Sequence, residues 1–118
     1  RSEISIIQNA SKYIYENISE LDTIEDLSNQ FNISKKKLQI GFKAIHGTTV
    51  NGYVQRLRLE LAANLLSKTD LNISEICYMV GISSKSYLSK IFKEEYDLTP
   101  SEFRKIQKHK LSRKLDHN

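Results

Sequence analysis

Residues 83–96 read SSKSYLSKIFKEEY. With Leu88, Ile91 and Phe92 on a buried side, a helical rotation of about 100° per residue puts Ser86, Lys90 and Lys93 on the opposite face and Ser89 on its flank. That face carries ammonium and hydroxyl groups and no carboxylate before Glu94. Residues 23–42 make the same offer earlier in the chain, through Lys35, Lys36 and Lys37.

The two stretches are copies of one pattern. Ile24, Leu27, Ile33, Leu38 and Phe42 fall at offsets 0, 3, 9, 14 and 18, and Ile73, Ile76, Ile82, Leu88 and Phe92 at 0, 3, 9, 15 and 19. Each copy has two helical segments, a turn at Asn32 or Gly81, and a small residue, Ser28 or Cys77, where the helices must approach. This is the pattern of a helix-turn-helix, whose first helix braces a second that enters the DNA major groove. The recognition helices are expected over 34–46 and 84–96.

Working outward, Ile4, Ile7, Ala10, Ile14 and Ile18 recur at helical spacing and predict a first helix over 3–17. Thr23 with Asp26, and Asn72 with Glu75, are helix starts; Ser34 caps the helix that Gly47 ends. In that helix Leu38, Phe42 and Ile45 are expected inward, leaving Lys36, Ile40 and Lys43 outward with Lys37 and Gln39 on the flanks. Gly41, costly inside a helix, implies close packing against the first or the connecting helix. Tyr53, Val54, Leu57, Leu61, Ala62 and Leu65 mark a connecting helix over 49–67, a rod of roughly 28 Å. Thr99-Pro100-Ser101-Glu102 is a capping box with proline at the first helical position. No alternating β-branched run occurs. The expected fold is all-α, of about seven helices. Its divisions are a first helix-turn-helix subdomain over 1–48, the connecting helix, a second subdomain over 68–108, and a disordered basic tail over 109–118.

Composition narrows the function. The chain has 118 residues, a net charge of +4 and a pI near 9.2. Residues 1–33 hold two Lys/Arg against six Asp/Glu, whereas residues 34–46 hold four lysines and residues 83–93 three, with no acid in either. Such concentration on two helices suits a polyanion. There is no apolar run of membrane-spanning length, so no membrane partner is expected. The lone Cys77 excludes an internal disulfide and fits a reducing compartment. Paired carboxylates, a glycine-rich phosphate loop and ligand-spaced histidines are all missing, so neither enzyme chemistry nor a cofactor or metal is expected. The chain starts at Arg1 rather than Met, which reads as a piece of a longer protein.

The run ISEICYMVGISSKSYLSKIFKEEYDLTPSEFR, residues 73–104, resembles the signature of the AraC/XylS family of bacterial transcription regulators. GTTVNGYVQRLRLELAANLL, residues 47–66, is similar to that family's connecting helix, with its Arg58 and Ala62. Departures are Ser28 for the usual Ala, Leu88 for Phe, and Asp97 where Gly often ends the recognition helix. The resemblance implies sequence-specific binding of double-stranded DNA and transcription regulation, including activation, in the bacterial cytoplasm. RNA polymerase stands as a candidate further partner. Family members add a sensor or dimerisation domain, so these residues are expected to be a monomer that dimerises only through such a domain.

The family's base-reading positions correspond to Lys36, Gln39 and Ile40 in the first motif, and to Lys85, Ser86, Tyr87 and Lys90 in the second. Side-chain chemistry agrees: Gln suits adenine N6/N7, Lys suits guanine O6/N7, and an exposed Ile suits a thymine methyl. Tyr87 lies nearer the core edge, so packing is its expected role. Lys35, Lys37, Lys43 and Lys93 are expected on phosphates. Ser34, Ser84 and Ser89, at the starts and flank of the recognition helices, complete the expected interface. The competing classes are a helical protein-interaction module and, behind it, an RNA-binding module, which the lack of interleaved aromatics disfavours.

Overall fold

A computed structural model describes residues 2–116 of the chain. Seven helices and no strand appear among the described residues: α1 (Glu3–Glu16), α2 (Ile24–Gln30), α3 (Lys35–His46), α4 (Val50–Lys68), α5 (Ile73–Val80), α6 (Lys85–Tyr96) and α7 (Pro100–Asp116). Contacts divide the chain into two units, residues 1–57 and 58–118, so the boundary falls inside α4 between Leu57 and Arg58.

In the first unit, Ile7, Ala10 and Ile14 of α1 are buried with Leu27, Leu38, Phe42, Val50 and Val54. The α1–α3 packing is close at Gly41, where an added Cβ would lie 2.5 Å from Ile7 Cδ1. Glycine here serves proximity: the expected partner, the first helix, is the one that approaches. In the second unit, Leu59, Ala62 and Leu66 of α4 join Ile76, Cys77, Val80, Ile82, Leu88, Ile91 and Phe92 in one core.

The repeat extends further than the helix pairs. The buried set Ile7, Ala10 and Ile14 has the spacing 0, 3, 7, and so has Leu59, Ala62 and Leu66, so the second half of α4 does for its unit what α1 does for the first. A cluster of three rings joins each recognition helix to the helix after it. Phe42 meets Tyr53 edge-on at 5.4 Å and His46 at 5.2 Å; Phe92 meets Phe103 edge-on at 5.3 Å and Tyr96 at 4.5 Å. Aromatic pairs at these distances add to simple burial. They fix where α4 starts relative to α3, and α7 relative to α6.

Both turns close in one way. Ile33 N donates to Ser28 O at 3.0 Å, and Ile82 N to Cys77 O at 2.9 Å, the bond that ends a helix when the next residue turns left-handed. Asn32 (φ 54°) and Gly81 (φ 82°) supply that conformation. Asp97 (φ 62°) does the same after α6 without being glycine, a conformation Asp tolerates better than bulkier residues. Ser28 and Cys77 are buried at these junctions; Ser28 Oγ donates to Glu25 O and so brings its own partner inside.

Two expectations need correction. Residues 109–116 are the end of α7 rather than a disordered tail; His117 and Asn118 lie outside the described residues. Continuation of the helix is favoured by Lys108, which pairs with Asp70, and by Arg113 and Lys114 near the negative C-terminal end. Ile45 is 40% exposed, because it lines an open groove beside Ile4, Ile40 and Ala44 rather than the core. On α4 the deeply buried residues include Val50, Leu59 and Leu66, whereas Tyr53, Leu57, Leu61 and Leu65 are half-buried, since one helix turns different faces to two cores.

Candidate nucleic-acid interface

Ser34 precedes α3 and its hydroxyl accepts from Lys37 N at 3.1 Å; Ser84 precedes α6 and accepts from Tyr87 N at 3.1 Å. Both serines are therefore N-caps, each satisfying one of the donors a helix start leaves unpaired. With no acid in the first turn of either helix, the positive end of each backbone dipole is left uncancelled beside the lysines.

On α3, Lys35, Lys36, Lys37 and Lys43 are exposed, and Ile40 is 58% exposed between them. Lys37 Nζ lies 3.4 Å from Glu3 Oε2, with both side chains about two-thirds in solvent, a pair worth about 1 kcal/mol or less. Gln39 is half-buried and its Oε1 accepts from Val50 N at 2.9 Å. That bond uses one of the two lone pairs of the oxygen and ties α3 to the start of α4.

On α6, Lys85, Ser86, Lys90 and Lys93 are exposed and Ser89 is half-buried. Ser86, Ser89, Lys90 and Lys93, with Glu94 and Thr99, line a shallow concavity of about 580 Å³. Tyr87 is 45% exposed rather than packed away, and it lies in the electrostatic neighbourhood of Arg58, whose guanidinium is pushed down by burial. The structure thus gathers the first-motif residues on α3 and its N-cap, and the second-motif residues on α6 and its N-cap.

Two arginines matter that the sequence did not single out for this role. Arg56 Nη2 donates to His46 O at 3.1 Å, and Arg104 donates through Nε to Leu66 O and Nη2 to Thr69 O. Each ties down carbonyls at the end of a helix, α3 or α4. Arg56 stands in the second turn of α4 and reaches back to the end of the preceding recognition helix, whereas Arg104 stands in the second turn of α7 and reaches the end of α4, 35 to 38 residues away, a contact that no local signal marks. Elsewhere, burial pushes the Cys77 thiol up, which makes it a packing residue rather than a nucleophile.

The family profile of the helix-turn-helix domain matches residues 27–106. A solved AraC-type DNA-binding domain from Chromobacterium violaceum superposes with a TM-score of 0.81 at 28% identity, covering 87% of this chain and 92% of that one. The chain belongs to the AraC-type helix-turn-helix family. Among relatives of this AraC-type domain, the xylose operon regulatory protein of Escherichia coli (strain K12) is 33% identical over 102 residues, 86% of this chain. The probable transcription factor PqrA of Proteus vulgaris is 38% identical over 81 residues, 69% of this chain. The chain spans 26% and 66% of those two relatives' lengths. AraC-type domains are DNA-binding parts of transcription regulators and not an enzyme family, and among the described residues no helix is long and apolar enough to cross a membrane.

Proposed function

We propose that this AraC-type domain binds double-stranded DNA sequence-selectively and regulates transcription, with α3 and α6 entering successive major grooves. The observation that carries the reading is duplication: two equivalent helices, each capped by serine, braced by a partner helix and exposing lysines without acids over their first turns. Lys36 and Ile40 on α3, and Lys85, Ser86 and Lys90 on α6, are the side chains assigned to base edges, with Tyr87 available to them. Lys35, Lys37, Lys43 and Lys93 take phosphates, and Ser34, Ser84 and Ser89 hold or flank the helix starts. The nineteen residues of α4 form a helix about 28 Å long, against about 34 Å for one turn of DNA; if α4 does not flex, the duplex bends or one motif grips backbone alone. The relatives' greater length supports a sensor or dimerisation domain elsewhere, with this domain monomeric alone, acting near RNA polymerase in the bacterial cytoplasm.

The protein-interaction reading has one observation in its favour, a groove of about 390 Å³ between α1 and α3 lined by Ile4, Ile7, Gly41 and Ile45. A gel shift on random duplex DNA separates the two. Lys36→Glu and Lys90→Glu should each weaken binding at least tenfold; unchanged binding would favour the protein partner.

A further inference from the structure

Two stretches lie outside residues 27–106, the span that matches the family profile, and they carry opposite charge. Residues 1–26 hold six Asp/Glu against two Lys/Arg, whereas residues 107–114 hold four Lys/Arg and no acid. The recognition helices account for neither. The basic stretch is shaped as well as charged. Arg104 and Lys108 fasten α7 to the end of α4, and α7 then continues beside Ser67 and Lys68. The two helices enclose a groove of about 280 Å³ lined by Ser67, Lys68, Gln107, Lys110, Leu111 and Lys114. Leu111 gives it an apolar floor, and Leu115, four residues on and so on the same face, extends that surface; they are 54% and 63% exposed. Three lysines therefore rim an apolar cleft.

The acidic stretch has the complementary build. Glu3 pairs with Lys37, Asp22 accepts from Tyr13 and Asp26 closes the cap of α2, but Glu16 and Glu20 pair with no cation among the described residues. Glu16 ends α1, whose last turn has no basic residue, so its charge adds to the negative end of the helix dipole instead of offsetting it. A cation brought from outside is stabilising there. Tyr15, next to Glu16, is 56% exposed and has the apolar ring and polar tip typical of interface anchors. We infer that the lysine-rimmed groove between α4 and α7 docks Tyr15 of a second copy of this chain, with that copy's Glu16 and Glu20 against Lys110 and Lys114. A second copy fits because each surface supplies what the other lacks, acid against base and ring against leucine. One ring in a groove of this size buries far less than the roughly 1,200–2,000 Å² of stable complexes, so the dilute chain remains monomeric. The contact does not depend on the DNA-binding reading.

Sedimentation velocity of the intact chain tests the inference. At low ionic strength the weight-average mass should rise with concentration, and salt near about 1 M, where the screening length is about 3 Å, should return it to the monomer. The double variant Lys110→Glu/Lys114→Glu makes both surfaces acidic, and Glu16→Lys/Glu20→Lys makes both basic. Each alone should stay monomeric, whereas an equimolar mixture of the two should associate, which misfolded variants would not do. Tyr15→Ala should raise the dissociation constant of the intact chain roughly tenfold, a loss that long-range charge attraction alone would not show. A mixture that stays monomeric, or a Tyr15→Ala chain that associates as the intact one does, would overturn the inference. So would an intact chain that is monomeric at low ionic strength, a result that leaves the groove to an acidic segment of another protein.

Discussion

A methyl group added at Gly41 would overlap the side chain of Ile7, a buried residue of α1. Gly41→Ala gains about 1 kcal/mol of helix propensity but forces overpacking of about 1–3 kcal/mol, so urea unfolding should show a net loss of about 1 kcal/mol. A stabilised Gly41→Ala would mean the α1–α3 approach is looser than described. His46 makes a second residue-scale prediction. Its ring lies 2.7 Å from Ser11 Oγ and packs against Phe42 and Tyr53, and burial, with Arg56 second, holds its pKa below the ordinary value of 6.5. The unfolded chain therefore takes up the proton more readily. This contribution is fully present above the unfolded value and is lost as pH falls below about 6.5 through the folded value. Stability of the first unit should drop between pH 7 and 5 in the intact chain, and less steeply in His46→Gln. That His46 was structural was hidden in the sequence, where three scattered histidines look alike; only its place opposite Ser11 and Tyr53 distinguishes it.

At the scale of elements, the caps were legible because they depend on local chemistry. Thr23 with Asp26 and Asn72 with Glu75 form reciprocal capping boxes, and Ser34, Ser84 and Thr99 cap as their types prefer. Asn72→Ala should cost the second unit about 1 kcal/mol in chemical denaturation, and Asn72→Asp almost nothing. The faces of α4 were not legible. The pattern from Tyr53 to Leu65 marks the helix but does not sort its faces, because a helix shared by two cores buries Val50 and Val54 for one and Leu59, Ala62 and Leu66 for the other. The spacing match of Leu59, Ala62 and Leu66 with Ile7, Ala10 and Ile14 was present in the sequence, but the loop after α1 is longer, which breaks the register. The basic faces of α3 and α6 were legible from charge alone. The role of Gln39 was not, since its partner lies eleven residues away at the start of the next helix. If about five lysines of α3 and α6 lie on phosphates, log affinity should fall with log salt at a slope near −4.5, and Lys43→Gln should reduce that slope by about 1.

At the scale of the molecule, two units of one plan meet within one helix, and each supplies a capped, lysine-bearing recognition helix. The repeat was evident from apolar spacing because a helix-turn-helix fixes its core positions within about twenty residues, too short a span for insertions to blur. The extra residue in the second copy, Ser83, falls in the turn, where the chain tolerates it. The account's central claim is that both recognition helices engage one duplex. Hydroxyl-radical footprinting of the intact chain on a selected duplex tests it most directly. Two protected patches about one helical turn apart are predicted, with Lys36→Glu erasing one and Lys90→Glu the other; a single protected groove, or two patches that both persist in each variant, would contradict it.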